Sequence, residues 1–357
     1  MAKILFAVSS WGLGHATRDL VLIQALLQQG HQVTVISTGR ALTLLQRELG
    51  DQCEFIDWPD GPKPLATSET LAYAKFTLAL PLLLRSILVE HQTLQELLAT
   101  RKFDRIVSDF RYGIYSSKVP TYLISHGLRL IAPNRNPTIE LAFELFNARW
   151  FEPMRRILVP DFETPSLAGD LCHNLRFFDA DKLEYIGILS SICQRDVEQD
   201  ISYFISVSGP EPQRSIFERM VLRQAASLPG RVVVALGRPE EDTKPRIVGS
   251  VEVYNYLDRR RQEEMMNRAQ VVVTRSGYTT LMELTELQKR ALLVPTPGQT
   301  EQTYLARYHR SLGTYFSVDQ SKLNLLRDTG RAAAFSGFRP PHRTREAVEK
   351  FLSIVTS

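Results

Sequence analysis

The residues Lys3-Ile4-Leu5-Phe6-Ala7-Val8-Ser9-Ser10-Trp11-Gly12-Leu13-Gly14-His15-Ala16-Thr17-Arg18 decide the fold. Lys3 to Val8 is an apolar, β-branched run without alternation, as expected of a strand buried on both faces. Gly12 and Gly14 punctuate the chain, and Thr17 to Gln29 is rich in helix formers and stops at Gly30. A second strand, His31 to Ser37, follows at once and leads into a helix from Arg40 to Leu49. Strands alternating with helices of this length imply a parallel sheet with helices on both faces.

Further along, a short apolar piece, Cys53 to Ile56, precedes a proline-rich loop through Pro64. Residues 69–100 read as helix, with Pro81 as a kink or break. Strand character returns at Phe103 to Ser108 and Pro120 to Ser125, and Pro160 to Ser191 is irregular. A second series then begins, with strands expected at Tyr203 to Val207, Arg231 to Leu236, Val251 to Tyr254, Gln270 to Thr274, Ala291 to Pro295 and Thr314 to Val318. The fold class is therefore α/β, with two doubly wound Rossmann-like halves. The expected boundaries are an N-terminal domain over 1–165, a connection over 166–200, a second domain over 201–340 and a last segment over 341–357, whose helix, about Thr344 to Ile354, returns to the first domain. Such sheets bind ligands at the carboxyl ends of their strands, which aims the chemistry at a cleft between the halves.

Composition sets outer limits. The 357 residues are 44% apolar and 23% charged with a net charge of +4, an ordinary folded composition long enough for two domains. The uncharged run Phe76 to Leu84 falls far short of the ~20 apolar residues that span a bilayer. The N-terminus lacks the pattern of a signal peptide, so a cytoplasmic protein is expected. Cys53, Cys172 and Cys193 form no Cys-x-x-Cys pair, and neither a disulfide framework nor a zinc site is expected. Asp179-Ala180-Asp181 has a metal-binding Asp-x-Asp spacing but lies in the expected connection, so no metal or other cofactor is expected.

Four turns at strand ends carry the candidate chemistry. At the first, Gly12 and Gly14 let backbone approach a ligand, and His15 at the helix start can serve as a general base or as a packing residue. The third glycine of a dinucleotide fingerprint would fall at Thr17, so a nicotinamide cofactor is disfavoured. At the second, Ser208-Gly209 suits a diphosphate cradle, with Arg214 as counter-charge. The third, Arg275-Ser276-Gly277-Tyr278-Thr279-Thr280-Leu281-Met282-Glu283, sets Thr280 and Glu283 on one helical face, where a carboxylate can take the two hydroxyls of a ribose or belong to a helix cap. The fourth, Pro295 to Gln302, delivers Gln299, Glu301 and Gln302, the amide and carboxylate chemistry that recognises sugar hydroxyls.

This ordered set, Gly12-x-Gly14-His15, Ser208-Gly209, Arg275-Ser276-Gly277-x-x-Thr280-x-x-Glu283 and Pro295 to Gln302, resembles the family 28 glycosyltransferases of GT-B fold. The family includes the peptidoglycan N-acetylglucosaminyltransferase and the plastid galactolipid synthases. The resemblance implies a GT-B enzyme of two domains facing across a cleft, an acceptor-binding N-terminal domain and a donor-binding C-terminal one. It implies that Ser208, Gly209, Ser276, Gly277 and Thr280 hold the donor diphosphate, that Glu283 binds ribose, and that Glu301 and Gln302 contact the sugar. His15 would be the acceptor-side base, oriented by Asp109 of Val107-Ser108-Asp109-Phe110, with Gly12, Gly14 and Arg18 forming the acceptor-side loop. The implied reaction is inverting, metal-independent transfer of a hexose from a nucleotide diphosphate, taken as a UDP-sugar, to an acceptor hydroxyl, with a lipid-linked acceptor one option. A nucleotide-sugar epimerase and a non-catalytic sugar-nucleotide or lipid-binding module remain open. The first loop departs from the Gly-Gly-x-Gly-Gly-His of the cell-wall enzyme, and the His15-x-x-Arg18 form is closer to a poorly described bacterial and archaeal branch.

Residues 101–160 hold ten basic and five acidic side chains. Interleaved with Phe143, Phe146, Trp150 and Phe151, this excess points either to an anionic membrane surface, hence a peripheral site on the inner face of the membrane, or to a solvated basic face. No nucleic-acid motif accompanies it.

Overall fold

The computed structural model describes residues 1–61, 69–238 and 244–357. The chain divides into two compact units. The first comprises the N-terminal residues, Thr70–Ser191 and Pro341–Ser357; the second spans Ile192–Pro340.

In the first unit the order is β1 (Lys3–Val8), α1 (Leu13–Gln28), β2 (Gln32–Ser37), α2 (Gly39–Leu49), β3 (Glu54–Asp57), α3 (Glu69–Thr100), β4 (Arg105–Asp109), β5 (Thr121–Ile124), α4 (Pro137–Trp150), β6 (Arg156–Val159) and β7 (Leu183–Tyr185). The sheet runs β3-β2-β1-β4-β5-β6-β7, parallel throughout. Ile4 to Val8 are fully buried, as unalternating apolar strands in a two-faced sheet must be. The strand order reverses between β1 and β4, and there Val8 stands in register with Asp109. Two residues 101 positions apart in sequence thus become neighbours at the carboxyl ends of adjacent strands.

The second unit contains β8 (Ile201–Ser206), α5 (Gln213–Gln224), β9 (Val232–Ala235), β10 (Arg246–Val248), β11 (Val251–Tyr254), α6 (Arg259–Arg268), β12 (Ala269–Thr274), α7 (Tyr278–Glu286), β13 (Arg290–Leu293), α8 (Thr300–Ser311), β14 (Phe316–Ser317) and α9 (Leu325–Ala332). Its order, β10-β11-β9-β8-β12-β13-β14, reverses between β8 and β12, and only the added edge strand β10 is antiparallel.

Some expectations shift. The stretch 166–200 is not a separate connection: β7 extends the first sheet beside β6, and chain through Ser191 belongs to the first unit. Three residues of β7 are too few to show a period, and neither β6 nor β7 is anticipated by the sequence reading. Helix α10 (Thr344–Val355) lies in the first unit, where the Ser190 amide donates to Thr344 Oγ1 at 3.1 Å and Lys350 Nζ to the Tyr185 carbonyl at 2.9 Å. Pro81 sits inside α3 without ending it. Of the proline-rich loop, the part beyond Gly61 lies outside the described residues.

Helix α3 is clamped to the loop after β4. Arg111 Nε donates to Glu90 Oε1 at 2.6 Å, and its other nitrogens donate to the carbonyls of Trp58 and Pro59. The Gly113 amide donates to Glu90 Oε2 at 2.8 Å. A Cβ on Gly113 would lie 2.5 Å from the Ile87 carbonyl oxygen and 2.7 Å from Glu90 Cβ. Gly113→Ala should therefore lower unfolding free energy by about 1–3 kcal/mol, the usual cost of overpacking, as measured by denaturant titration.

Candidate active site

In the first unit the site grows from the β1 and β4 ends. The turn after β1 is held by Asp60, which accepts from the Ser10 amide and hydroxyl, both at 2.7 Å. Asp60 escapes the sequence reading, its one signal being the turn-forming Pro59-Asp60-Gly61. Helix α1 begins at Gly12, whose backbone is extended and whose place at the N-cap brings no side-chain cap. His15 and Arg18 stand one turn apart on α1 and converge on Asp109.

Asp109 is fully buried. One of its oxygens accepts from His15 Nδ1 at 2.8 Å and from Arg18 Nε at 3.0 Å, and the other from Arg18 Nη2. Arg18 Nη1 lies 3.2 Å from His126 Nδ1, and its Nη2 lies 2.9 Å from His15 Nδ1. Burial acts to raise Asp109, but Arg18 and His15 prevail and hold its carboxyl well below the usual range. An ionised carboxylate only accepts, so His15 Nδ1 must carry the proton that lies between them, which leaves Nε2 as the basic nitrogen. Burial lowers His15 from its ordinary value of 6.5; Asp109 pulls it up and Arg18 pushes it down. The ring is thus neutral and oriented from behind.

Beside it opens a cavity of about 830 Å3, walled mainly by apolar side chains of α3, α4 and the loops after β1 and β4. Trp11 and Phe110 line it, their ring centroids 6.0 Å apart, and the Phe110 ring lies 5.8 Å from that of His15. Phe110 adopts φ 54°, a left-handed conformation costly for a bulky residue, immediately after Asp109. Phe143 and Phe146 of α4 belong to the same wall.

Of the basic residues in 101–160, Arg111 and Arg129 are buried and the others half-buried or exposed. Arg101, Arg111, Arg129, Arg135, Arg149 and Arg156 each pair with a carboxylate, and Phe151 is buried. Pairing with Glu54, Glu90 and Glu184, outside the stretch, offsets part of the excess.

One cluster of metal-ligand types occurs among the described residues: Asp161, Cys172 and His173, with ligand atoms within 4.8 Å of one another. Asp161 already accepts from the amides of Phe162, Leu167 and Ala168 and from the Ser166 hydroxyl at 2.7–2.9 Å. Burial and the Asp161 charge push the Cys172 thiol well up. The cluster anchors the 160–173 loop.

The second unit organises its turns around Arg275. Buried at the end of β12, it donates to the carbonyls of Ser208, Gln213, Val294 and Pro295 at 3.1–3.3 Å and lies 4.1 Å from the centre of the Phe217 ring. Burial pushes it down to about 10. One guanidinium therefore ties together the loops after β8, β12 and β13. Gly209, at φ 117°, passes close by; a Cβ there would lie 3.5 Å from Thr296 Oγ1.

The remaining predicted residues gather in this unit with defined partners. Gly277 is the N-cap of α7 and brings no side-chain cap; Thr280 is half-buried one turn on. Ser276 Oγ donates to the Gln302 carbonyl at 2.7 Å, the Thr296 amide donates to Gln302 Oε1 at 3.0 Å, and Gln302 Nε2 donates to Gln299. Gln299 and Gln302 thus brace the loop, and Glu301 lies in the first turn of α8. Arg214 pairs with Glu211 and Glu218. Glu283, buried, pairs with Arg259 at 2.7 Å. Arg259 is missed by the sequence reading because its partner lies 24 residues away.

Comparisons with known proteins agree with this layout. Residues 211–351 match the glycosyltransferase family 28 C-terminal domain, and residues 2–57 match the glycosyl transferase family 1 model. The chain is family 28-like. An uncharacterized glycosyltransferase of Methanosarcina acetivorans is 26% identical over 320 residues, 84% of this chain and 81% of that protein. One of Methanosarcina mazei is 25% identical over 323 residues, with the same coverage of each. Among solved structures, the calicheamicin glycosyltransferase CalG4 aligns with TM-score 0.65 at 17% identity, over 100% of this chain and 94% of that one. MurG of Acinetobacter baumannii aligns with TM-score 0.61 at 15% identity, over 100% and 99%. The fold is GT-B.

Two outcomes follow from the geometry. Arg275→Lys keeps a charge but cannot reach four carbonyls from one planar fork, and should cost about 2–4 kcal/mol of stability, read by thermal or denaturant unfolding. The unfolded chain takes up a proton at its histidine near 6.5 and the folded His15 only at lower pH, so the His15 contribution weakens the fold as pH drops below that value. An NMR titration of the imidazole should give a midpoint below 6.5.

Proposed function

We propose that the protein is an inverting, metal-independent glycosyltransferase that moves a hexose from a UDP-sugar to a hydroxyl of an acceptor with a sizeable apolar part. The observation that carries this reading is the neutral, back-oriented His15 standing beside an apolar cavity at the strand-order reversal of a GT-B unit. The acceptor's apolar part occupies the cavity and its hydroxyl meets His15 Nε2. The hydroxyl oxygen bonds to the anomeric carbon as that carbon's bond to the diphosphate breaks, and its proton passes to His15. The resulting imidazolium is stabilised by Asp109.

The donor is assigned to the second unit. The Ser208-Gly209 turn, Ser276 and the α7 N-terminus with Gly277 and Thr280 would take the diphosphate, where amide groups and hydroxyls meet its charge without a cation. Glu283, fixed by Arg259, would accept the ribose hydroxyls, and Gln299, Glu301 and Gln302 would border the sugar. Arg214, committed to two carboxylates, would act only by exchanging one of them for phosphate. A lipid-linked acceptor fits the cavity's apolar walls. Contact with the inner face of the membrane would come from Leu78, Leu82 and Leu88 of α3, each more than half exposed.

Thermal unfolding across UDP-, dTDP- and GDP-sugars should show stabilisation by one UDP-sugar, abolished by Glu283→Ala, since a ligand bound to the native state raises its stability. No shift with any of them overturns the donor assignment, and isomerisation of donor alone replaces transfer by epimerisation. Ala142→Trp, which places bulk at the cavity wall, should reduce kcat/KM for an apolar acceptor by about tenfold or more while leaving donor stabilisation intact. An unchanged kcat/KM would remove the cavity from the reaction.

A further inference from the structure

Asp19 follows Arg18 on α1 and is completely buried. Neither of its oxygens accepts a hydrogen bond among the described residues, and its nearest cation, Arg18 Nε, lies 4.0 Å from Oδ1. Arg18 directs two of its nitrogens at Asp109 instead. A buried carboxylate without donors is untenable, because losing its hydration costs several kcal/mol. The Asp109 carboxylate lies against it and is itself ionised, so two neighbouring carboxyls compete for one guanidinium. Like charges so placed resolve by one of them keeping a proton.

We propose that Asp19 is a positioning residue that stays a neutral acid and donates its proton to Asp109, so that His15, Arg18 and Asp19 surround a single buried anion. The groups concerned are His15, Arg18 and Asp19 on α1, Asp109 at the end of β4, and His126 after β5, which meets Arg18. Burial and the Asp109 charge hold the Asp19 carboxyl well above the usual range, against Arg18, which favours ionisation. Arg18 directs Nε and Nη2 at Asp109 and Nη1 at His126, and comes no nearer to Asp19 than 4.0 Å. The lacking donor to Asp19 and the excess of acceptors at this spot are then explained together: protonated, Asp19 is a donor, and it has an acceptor beside it. The consequence for His15 is direct. An Asp109 that takes a fourth donor is a weaker base toward the imidazole, which keeps His15 neutral and able to accept a proton.

The inference gives the proposed base its tuning and so rests on that reading for its meaning. Its test needs no substrate, which keeps its failure distinct from failure of glycosyl transfer. Difference infrared spectroscopy of the wild type against Asp19→Asn at pH 7 should show the carbonyl stretch of a buried protonated carboxylic acid, lost in the variant. Asp19→Asn retains an N–H donor to Asp109, so the His15 midpoint, read by NMR, should stay in place. Asp19→Leu removes the donor and should raise that midpoint by about half a pH unit or more. Absence of the acid band, or a fall of the His15 midpoint in Asp19→Asn as expected from loss of a negative charge, overturns the proposal. So does a folded Asp19→Leu protein with an unmoved His15; if that variant does not fold, the infrared band and the Asn variant decide.

Discussion

A single ionised carboxylate buried at the end of β4 governs the first unit. Left alone, Asp109 would cost several kcal/mol in lost hydration, and the chain around it is arranged to prevent that. Arg18 meets it with two nitrogens and His15 with a third. Both come from the helix that follows β1, the strand paired with β4 at the reversal of strand order. The parallel sheet therefore does more than bury apolar surface. By placing two carboxyl ends side by side it brings the carboxylate at the end of one strand to an imidazole on the helix after the other, and compensation of the buried charge fixes the tautomer of that imidazole.

The second unit solves the inverse problem. It buries a cation, Arg275, that is met by four carbonyls rather than by an anion. In the proposed function those carbonyls belong to the ends of the loops that a nucleotide diphosphate would touch. Holding them with one rigid side chain sets the loop backbones before a ligand arrives, which limits the ordering cost of binding. The Arg-Ser-Gly signature thus owes its arginine to structure, while of the two residues after it Ser276 is buried and braced by the Gln302 carbonyl and Gly277 caps α7.

The cavity beside His15 depends on the same frame. Its walls come from α3 and α4, but their positions are set by polar clamps: Arg111 and the Gly113 amide on Glu90, and Asp60 on the turn after β1. Apolar residues give the cavity its character, and a few buried hydrogen bonds keep it open where the base stands.

How much of this was legible from residues alone follows from the range of each interaction. Strand and helix periods are local, so both doubly wound units, the turns at their strand ends and the residues His15, Asp109, Ser276 and Glu283 could be picked out in the linear chain. Very short strands such as β7 and the edge strand β10 carry too little pattern, and they form because a neighbouring strand offers its backbone groups. Asp60, Arg259 and Asp19 acquire meaning only from partners 24 to 90 residues away, and a count of basic side chains between 101 and 160 could not show that most of them are paired. The sequence by itself determined the architecture and the chemical types at the loops. Only tertiary structure decided which charges meet, since burial, and with it the need for a partner, is a property of the packed chain.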